Sequence, residues 1–259
     1  MTPMNYDGPR VSKSIVRRGI SEAPDIETSS ADYASRFVGT GGAYLLGIQE
    51  RLVVSLLGDR HSLAGKTILD VGGGHGQLAG PLARLGCVVT VAGSDESCAE
   101  RIRSGPHADA IAFRATNLLT LPFEDRQFDT VVSVRLISHI TDWRALIGEM
   151  CRVADKAVII DYPTYRSLNL LSRLAFPIKR AIERNTRHYQ TFRNSVIQAA
   201  FAEHGFHTAV IEKQFAIPMG FHRAFNGTPV VRLLEEGFRK LGITRRFGGP
   251  VLIKFERGL

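Results

Sequence analysis

Thr67-Ile68-Leu69-Asp70-Val71-Gly72-Gly73-Gly74-His75-Gly76-Gln77 is the stretch on which the fold turns. An apolar strand runs straight into an acid, then into a cluster of glycines, and a helix-forming segment starts near Gln77. Glycines belong where the backbone turns sharply and a ligand must approach the main chain closely. The helix start leaves free N–H groups facing that ligand. Asp70 stands at the strand's carboxyl end, where open parallel sheets bind ligands. An acid in that place suits a ligand with a cationic or donor-rich part better than one held through phosphate alone. The glycines by themselves leave alternatives open. Gly74 to Ala79 also fits the looser dinucleotide fingerprint, with Asp95 about twenty residues further on, and a tight strand-to-helix turn needs no ligand at all.

Working outward, strands and helices alternate from Lys66 onward. Strands are expected at Thr67–Val71, Val88–Ala92, Ala110–Arg114, Thr130–Val134 and Lys156–Asp161. They are short and apolar on both faces, as in a parallel sheet covered on each side by helices. Trp143, Leu146, Ile147, Met150 and Cys151 form an apolar stripe on one intervening helix. Ser97-Cys98-Ala99-Glu100 reads as a capping box opening another. Two further strands are expected at His207–Phe215 and Val251–Phe255, with a helix from Val230 to Leu241 between them. Upstream, Ala31 to Leu57 reads as a helix interrupted at Thr40-Gly41-Gly42. Residues 1–30 mix prolines, charges and serines without an apolar period and are expected to be a disordered arm.

The second diagnostic lies between the third and fourth strands. Thr116-Asn117-Leu118-Leu119-Thr120-Leu121-Pro122-Phe123-Glu124-Asp125 leads through Gln127-Phe128-Asp129 into a β-branched strand, and Ser133 to Trp143 follows with His139 ahead of a helix. Together with the glycine turn, this stretch, about Ile68 to Asp161, resembles the class I S-adenosylmethionine-dependent methyltransferases, in particular those acting on small molecules such as quinone, lipid and natural-product precursors. The resemblance implies a doubly wound α/β fold of the Rossmann-like methyltransferase kind. Its seven-stranded sheet is mostly parallel, with helices on both faces and an antiparallel last strand. It also implies a domain over residues 31–259, with a helical cap at 31–60 and a substrate lid inserted at 162–193.

The same resemblance implies S-adenosylmethionine as cofactor and places its contacts residue by residue. Asp70, Gly72, Gly73 and Gly74 fall under the methionine part, with the acid orienting its amino group. The acid that holds the ribose hydroxyls is assigned to Asp95, with Ser94 in support, on allowing a longer second strand. Asn117 stands where the family usually has an acid beside the adenine amino group; its amide oxygen can accept the same donor. Leu118 supplies a backbone N–H and an apolar wall, Ser133 and Val134 the floor beneath the sulfonium. Tyr33 and Arg36 close over the cofactor from the N-terminal helix. Candidate bases for the acceptor are His139, Tyr162 and His188.

Composition sets the remaining bounds. Hydrophobic content of 44% and charged content of 22% are those of a globular protein. No apolar run reaches the ~18 residues of a membrane span, no secretory leader is evident, and a cytoplasmic protein is expected. Cys87, Cys98 and Cys151 show no ligand spacing, and no His, Asp and Glu cluster suggests a metal. The net charge of +8 invites nucleic acid, but the basic stretches lack the interleaved aromatics that stack bases. A small-molecule acceptor is therefore preferred over RNA, with a cofactor-binding relative that does not turn over as the other alternative. The insertion carries Leu168, Leu170, Leu171, Leu174 and Phe176 followed by Lys179, Arg180, Arg184 and Arg187. Such a mix suits a lid over an apolar or anionic acceptor, or peripheral contact with anionic lipid.

Overall fold

The computed structural model describes residues 22–74, 76–165, 189–225 and 228–258. Its seven strands are β1 (Thr67–Val71), β2 (Val88–Gly93), β3 (Ile111–Ala115), β4 (Phe128–Ser133), β5 (Ala154–Tyr162), β6 (Phe206–Phe215) and β7 (Gly249–Arg257). They form one sheet in the order β3-β2-β1-β4-β5-β7-β6. Strands β1 to β5 pair in parallel, whereas β7 runs antiparallel to both β5 and β6. Every expected strand is present, with ends displaced by at most two residues. The order reverses between β1 and β4, which opens a crevice at the carboxyl ends of those two strands.

Strand β1 shows why the sheet is buried on both faces. Leu69 and Val71 point into the layer covered by α6 (Trp143–Val153) and α7 (Asn194–Ala202), while Ile68 points into the layer covered by α3 (Gly39–Leu57) and α4 (Ala79–Arg84). The α6 stripe of Leu146, Ile147, Met150 and Cys151 is buried in the first layer, with Trp143 packed at its edge. An apolar β-strand between two helical layers leaves only its end groups to face a ligand.

Three local expectations are corrected. The segment up to residue 30 is not irregular throughout: α1 (Pro24–Ser29) is a helical turn and a half with proline in its first turn. A helix so short draws its stability from tertiary contacts rather than propensity, and Asp25, fully buried, supplies one by accepting from the backbone N of Ser94 at 2.7 Å. The N-terminal cap is two helices, α2 (Ala31–Ser35) and α3, and the break falls at residues 36–38, so that Thr40-Gly41-Gly42 lies within the first turn of α3. The capping box is absent as well. After β2 the chain is extended at Asp95, whose carboxylate caps a 3₁₀ turn by accepting from Ser97 N at 2.9 Å; α5 (Glu100–Arg103) then starts without a side-chain cap.

Candidate functional site

The crevice is built from the turn after β1 and the loop after β4. Gly72 has φ +73°, and a Cβ there would lie 2.8 Å from the Leu136 side chain; only glycine meets both demands. At Gly74 a Cβ would fall 2.2 Å from Ser29 Oγ, so α1 rests directly on the glycine turn. Between these elements is a hollow of about 280 Å³, open to solvent, lined by Thr28, Asp70, Gln77, Val134 and Arg135 among others.

Two side chains in this hollow carry opposite unmet demands. Asp70 is 1% exposed, and burial, opposed in part by the nearby Arg135 charge, pushes its carboxyl up to about 7. Its Oδ1 has no hydrogen-bond partner among the described residues. Arg135 donates through Nη2 to Gln77 Oε1 and lies over the rings of Phe37 (5.0 Å) and Tyr33 (5.8 Å), while its buried Nη1 likewise has no partner among the described residues. Buried polar atoms are rarely left so. An acceptor and a donor facing one hollow suit a zwitterion, with the ammonium on Asp70 and the carboxylate on Arg135.

Arg135 is held in an unusual backbone state, φ 60°, which costs a non-glycine residue about 1–2 kcal/mol and persists only where neighbours over-determine it. Asp161, at the end of β5, is the neighbour responsible. Buried at 3% exposure, it accepts from Arg135 N at 2.5 Å, from Gln49 Nε2 of α3 at 2.8 Å and from Gln214 Nε2 of β6 at 3.1 Å. Burial raises the Asp161 carboxyl, and these three donors pull it back toward the ionised form. One carboxylate thus ties α3, the loop after β4 and β6 to the end of β5.

The residues expected at the cofactor are distributed unevenly. Asp70, Gly72, Gly73 and Val134 line the hollow, and Gly74 borders it beneath Ser29. Asp95 is exposed beyond β2, with its carboxyl lowered by the bonds to Ser97. Ser94 gives both its N–H and its hydroxyl to Asp25. Asn117 is exposed, with Oδ1 accepting from Leu119 N at 2.9 Å, and Leu118 is buried in the core. Ser133 donates its hydroxyl to Val71 O at 2.9 Å. Arg36 turns toward Asp32 at 3.4 Å and Glu27 at 4.0 Å; the cation facing the hollow is Arg135.

Comparison with known proteins places this geometry. Residues 69–160 match the family described as "Methyltransferase domain". Over those residues the chain carries a methyltransferase domain. The fold is shared with magnesium protoporphyrin IX methyltransferase from Synechocystis PCC 6803, solved with bound S-adenosylhomocysteine (TM-score 0.63, 16% identity, covering 90% of this chain and 97% of that one). In sequence, the domain is 30% identical over 128 residues to norajmaline N-methyltransferase of Rauvolfia serpentina, spanning 48% of this chain and 44% of the relative. It is 27% identical over 154 residues to a ubiquinone biosynthesis O-methyltransferase of Bartonella bacilliformis, spanning 56% and 62%. The match therefore covers roughly half the length of these curated relatives.

Of the three candidate bases, His139 and Tyr162 fall among the described residues. His139 ends a 3₁₀ turn after β4, half-buried, its ring 5.5 Å from that of Tyr189. The loop carrying His139 is held by Gln190, whose N donates to Ser138 O at 2.8 Å and whose side chain donates to Ile140 O at 3.1 Å. Tyr162 is 1% exposed in the core, edge-on to Phe192 at 6.1 Å; burial raises its phenol, so the neutral form prevails. His188 and most of the 162–193 insertion lie outside the described residues. The described ends of the insertion meet at a bridge between Thr164 and Phe192, beside β5. Arg135, Asp161, Gln49, Gln77 and Asp25 were not singled out in the sequence. Arg135 alone left a trace there, as the single charge in the run Val131 to Ile137.

Proposed function

We propose that the protein transfers a methyl group from S-adenosylmethionine to a small-molecule acceptor. The observation that carries this reading is the complementary pair of unmet groups, Asp70 Oδ1 and Arg135 Nη1, on two residues that line one hollow at the switch point of a methyltransferase-domain sheet. Asp70 takes the ammonium and Arg135 the carboxylate of the cofactor's methionine part. The glycine turn passes beneath it, and Asp95 accepts from the ribose hydroxyls. The sulfonium supplies an already activated methyl group. What remains for this chain is to align the acceptor behind that carbon, a contribution of about 7–11 kcal/mol in well-oriented reactions. Where the acceptor must lose a proton, His139 is the group assigned to take it, since the Tyr162 phenol is buried and its ionisation disfavoured. One named relative is an N-methyltransferase of norajmaline and the other an O-methyltransferase of ubiquinone biosynthesis, which favours an amine or hydroxyl group on a small acceptor.

Titration calorimetry with S-adenosylhomocysteine and, separately, NADH tests the reading, followed by incubation with methyl-labelled S-adenosylmethionine and phenolic or amine acceptors. Uptake of S-adenosylhomocysteine and label transfer are expected. Uptake of NADH alone would overturn the proposal, and cofactor binding without a labelled product from any extract would reduce it to binding without turnover. The ribose assignment has its own check. Asp95→Asn keeps an oxygen to cap Ser97 but loses the charge, and is expected to weaken S-adenosylhomocysteine binding roughly tenfold. An analogue lacking the ribose hydroxyls should bind wild type and variant alike.

A further inference from the structure

Helix α9 (Pro229–Lys240) is turned inside out relative to an ordinary surface helix. Its charged side faces inward. Glu235, its only buried residue, accepts from Ala216 N and Ile217 N, both at 2.9 Å, and from Thr244 Oγ1 at 3.2 Å. Arg232 donates to Thr40 O and Arg239 to Gln214 O. Residues 232, 235 and 239 share one helical face. The opposite face, at spacing i, i+3, i+4 and i+11, holds Val230 (65% exposed), Leu233 (71%), Leu234 (49%) and, just past the helix end, Leu241 (76%). Amphipathic helices of water-soluble domains bury that stripe. The neighbouring α8 (Met219–Ala224) and α10 (Ile243–Phe247) add exposed aromatics: Phe221, with Phe225 stacked on it just beyond α8, and Phe247.

We propose that this face docks on an anionic lipid surface, with α9 lying in the headgroup boundary. The charges beside the apolar stripe select the occupant. Lys240, Arg245 and Arg246 are exposed next to it, against the single exposed acid Glu236 on the helix. A second copy of a chain carrying net charge +8 would bring these cations against their own kind. An anionic membrane meets them with opposite charge while its acyl boundary takes the leucines and phenylalanines. The stripe itself offers no polar group with which to read a particular protein partner. At twelve residues α9 is about 18 Å long, suited to lying along the boundary. The inference does not depend on the methyl-transfer reading.

Flotation of the full chain with vesicles of phosphatidylcholine, alone or mixed with phosphatidylglycerol, tests it. The wild type is expected to float with the anionic vesicles, less so as salt rises. Leu233→Ser/Leu234→Ser should weaken that binding about tenfold or more. Lys240→Ala/Arg245→Ala/Arg246→Ala should erase the preference for the anionic mixture. All substituted side chains are exposed, so circular dichroism and S-adenosylhomocysteine affinity should stay at wild-type values. Failure to float with anionic vesicles overturns the proposal, as does equal flotation of the leucine variant. A concentration-dependent dimer that the leucine variant abolishes, without vesicle binding by either, would assign the face to a second copy instead.

Discussion

Arg135→Gln is expected to weaken binding of S-adenosylhomocysteine by about ten- to a hundred-and-fiftyfold, since hydrogen bonds to charged groups contribute roughly 1.5–3 kcal/mol. Glutamine keeps the unbranched stem as far as Cδ and is, like arginine, an unbranched non-glycine residue, so the left-handed backbone and its N–H bond to Asp161 are expected to be retained. What disappears is the guanidinium whose Nη1 has no partner among the described residues. Methylthioadenosine, which lacks the amino-acid part, separates this from general damage. Its affinity should be the same for wild type and variant. An equal loss for both ligands would show that Arg135 only shapes the cleft, and that its stacking on Phe37 and Tyr33 is the whole of its role.

Asp70→Asn should have a comparable or larger effect, on the order of a hundredfold, because it removes one charge from a buried ion pair. It also carries a pH signature. The Asp70 carboxyl is raised to about 7, first by burial, so below that pH the unliganded site holds a neutral acid. The ligand's ammonium stays charged across the same range. Affinity in the wild type should therefore rise with pH up to about 7 and then level, by at most about tenfold per pH unit, whereas the Asn variant should be flat. Stability moves the other way. A carboxyl whose folded pKa lies above its unfolded value of about 4 holds more protons when folded between those limits. Folded-state stability is then greatest below that window and declines as pH rises through it. At neutral pH Asp70→Asn should accordingly unfold at a higher denaturant midpoint than wild type while binding less well. A wild-type affinity independent of pH would remove the ammonium from Asp70.

The sheet was legible because its evidence is local. Each strand is a short apolar run between turn residues, and the α6 stripe repeats at helical spacing, so sequence distance and spatial role coincide. Asp70 was legible for the same reason: it ends a strand and precedes glycines. The rest of the site is assembled by contacts distant in sequence. Asp25 meets Ser94 across 69 positions and Gln49 meets Asp161 across 112, and neither residue type carries a local signature. The resemblance puts Tyr33 and Arg36 over the cofactor, whereas in the fold Asp32 and Glu27 lie within reach of Arg36. Arg135 has no acid on its own element and reaches the hollow from the loop after β4. The inward charges of α9 were similarly hidden, because periodicity shows that a helix has two faces without showing which one turns inside.

Strand β7 fills the gap between β5 and β6 although it follows both in the chain. On the ribosome, β5 and β6 emerge with nothing between them and must wait for residues 249–257. Until then each presents an open row of amides and carbonyls, and Tyr162 and Phe215 at their ends lack the backbone partners Val251 and Gly249. A nascent chain halted before that strand thus carries unpaired strand edges open to association, and that exposure ends once β7 inserts between them.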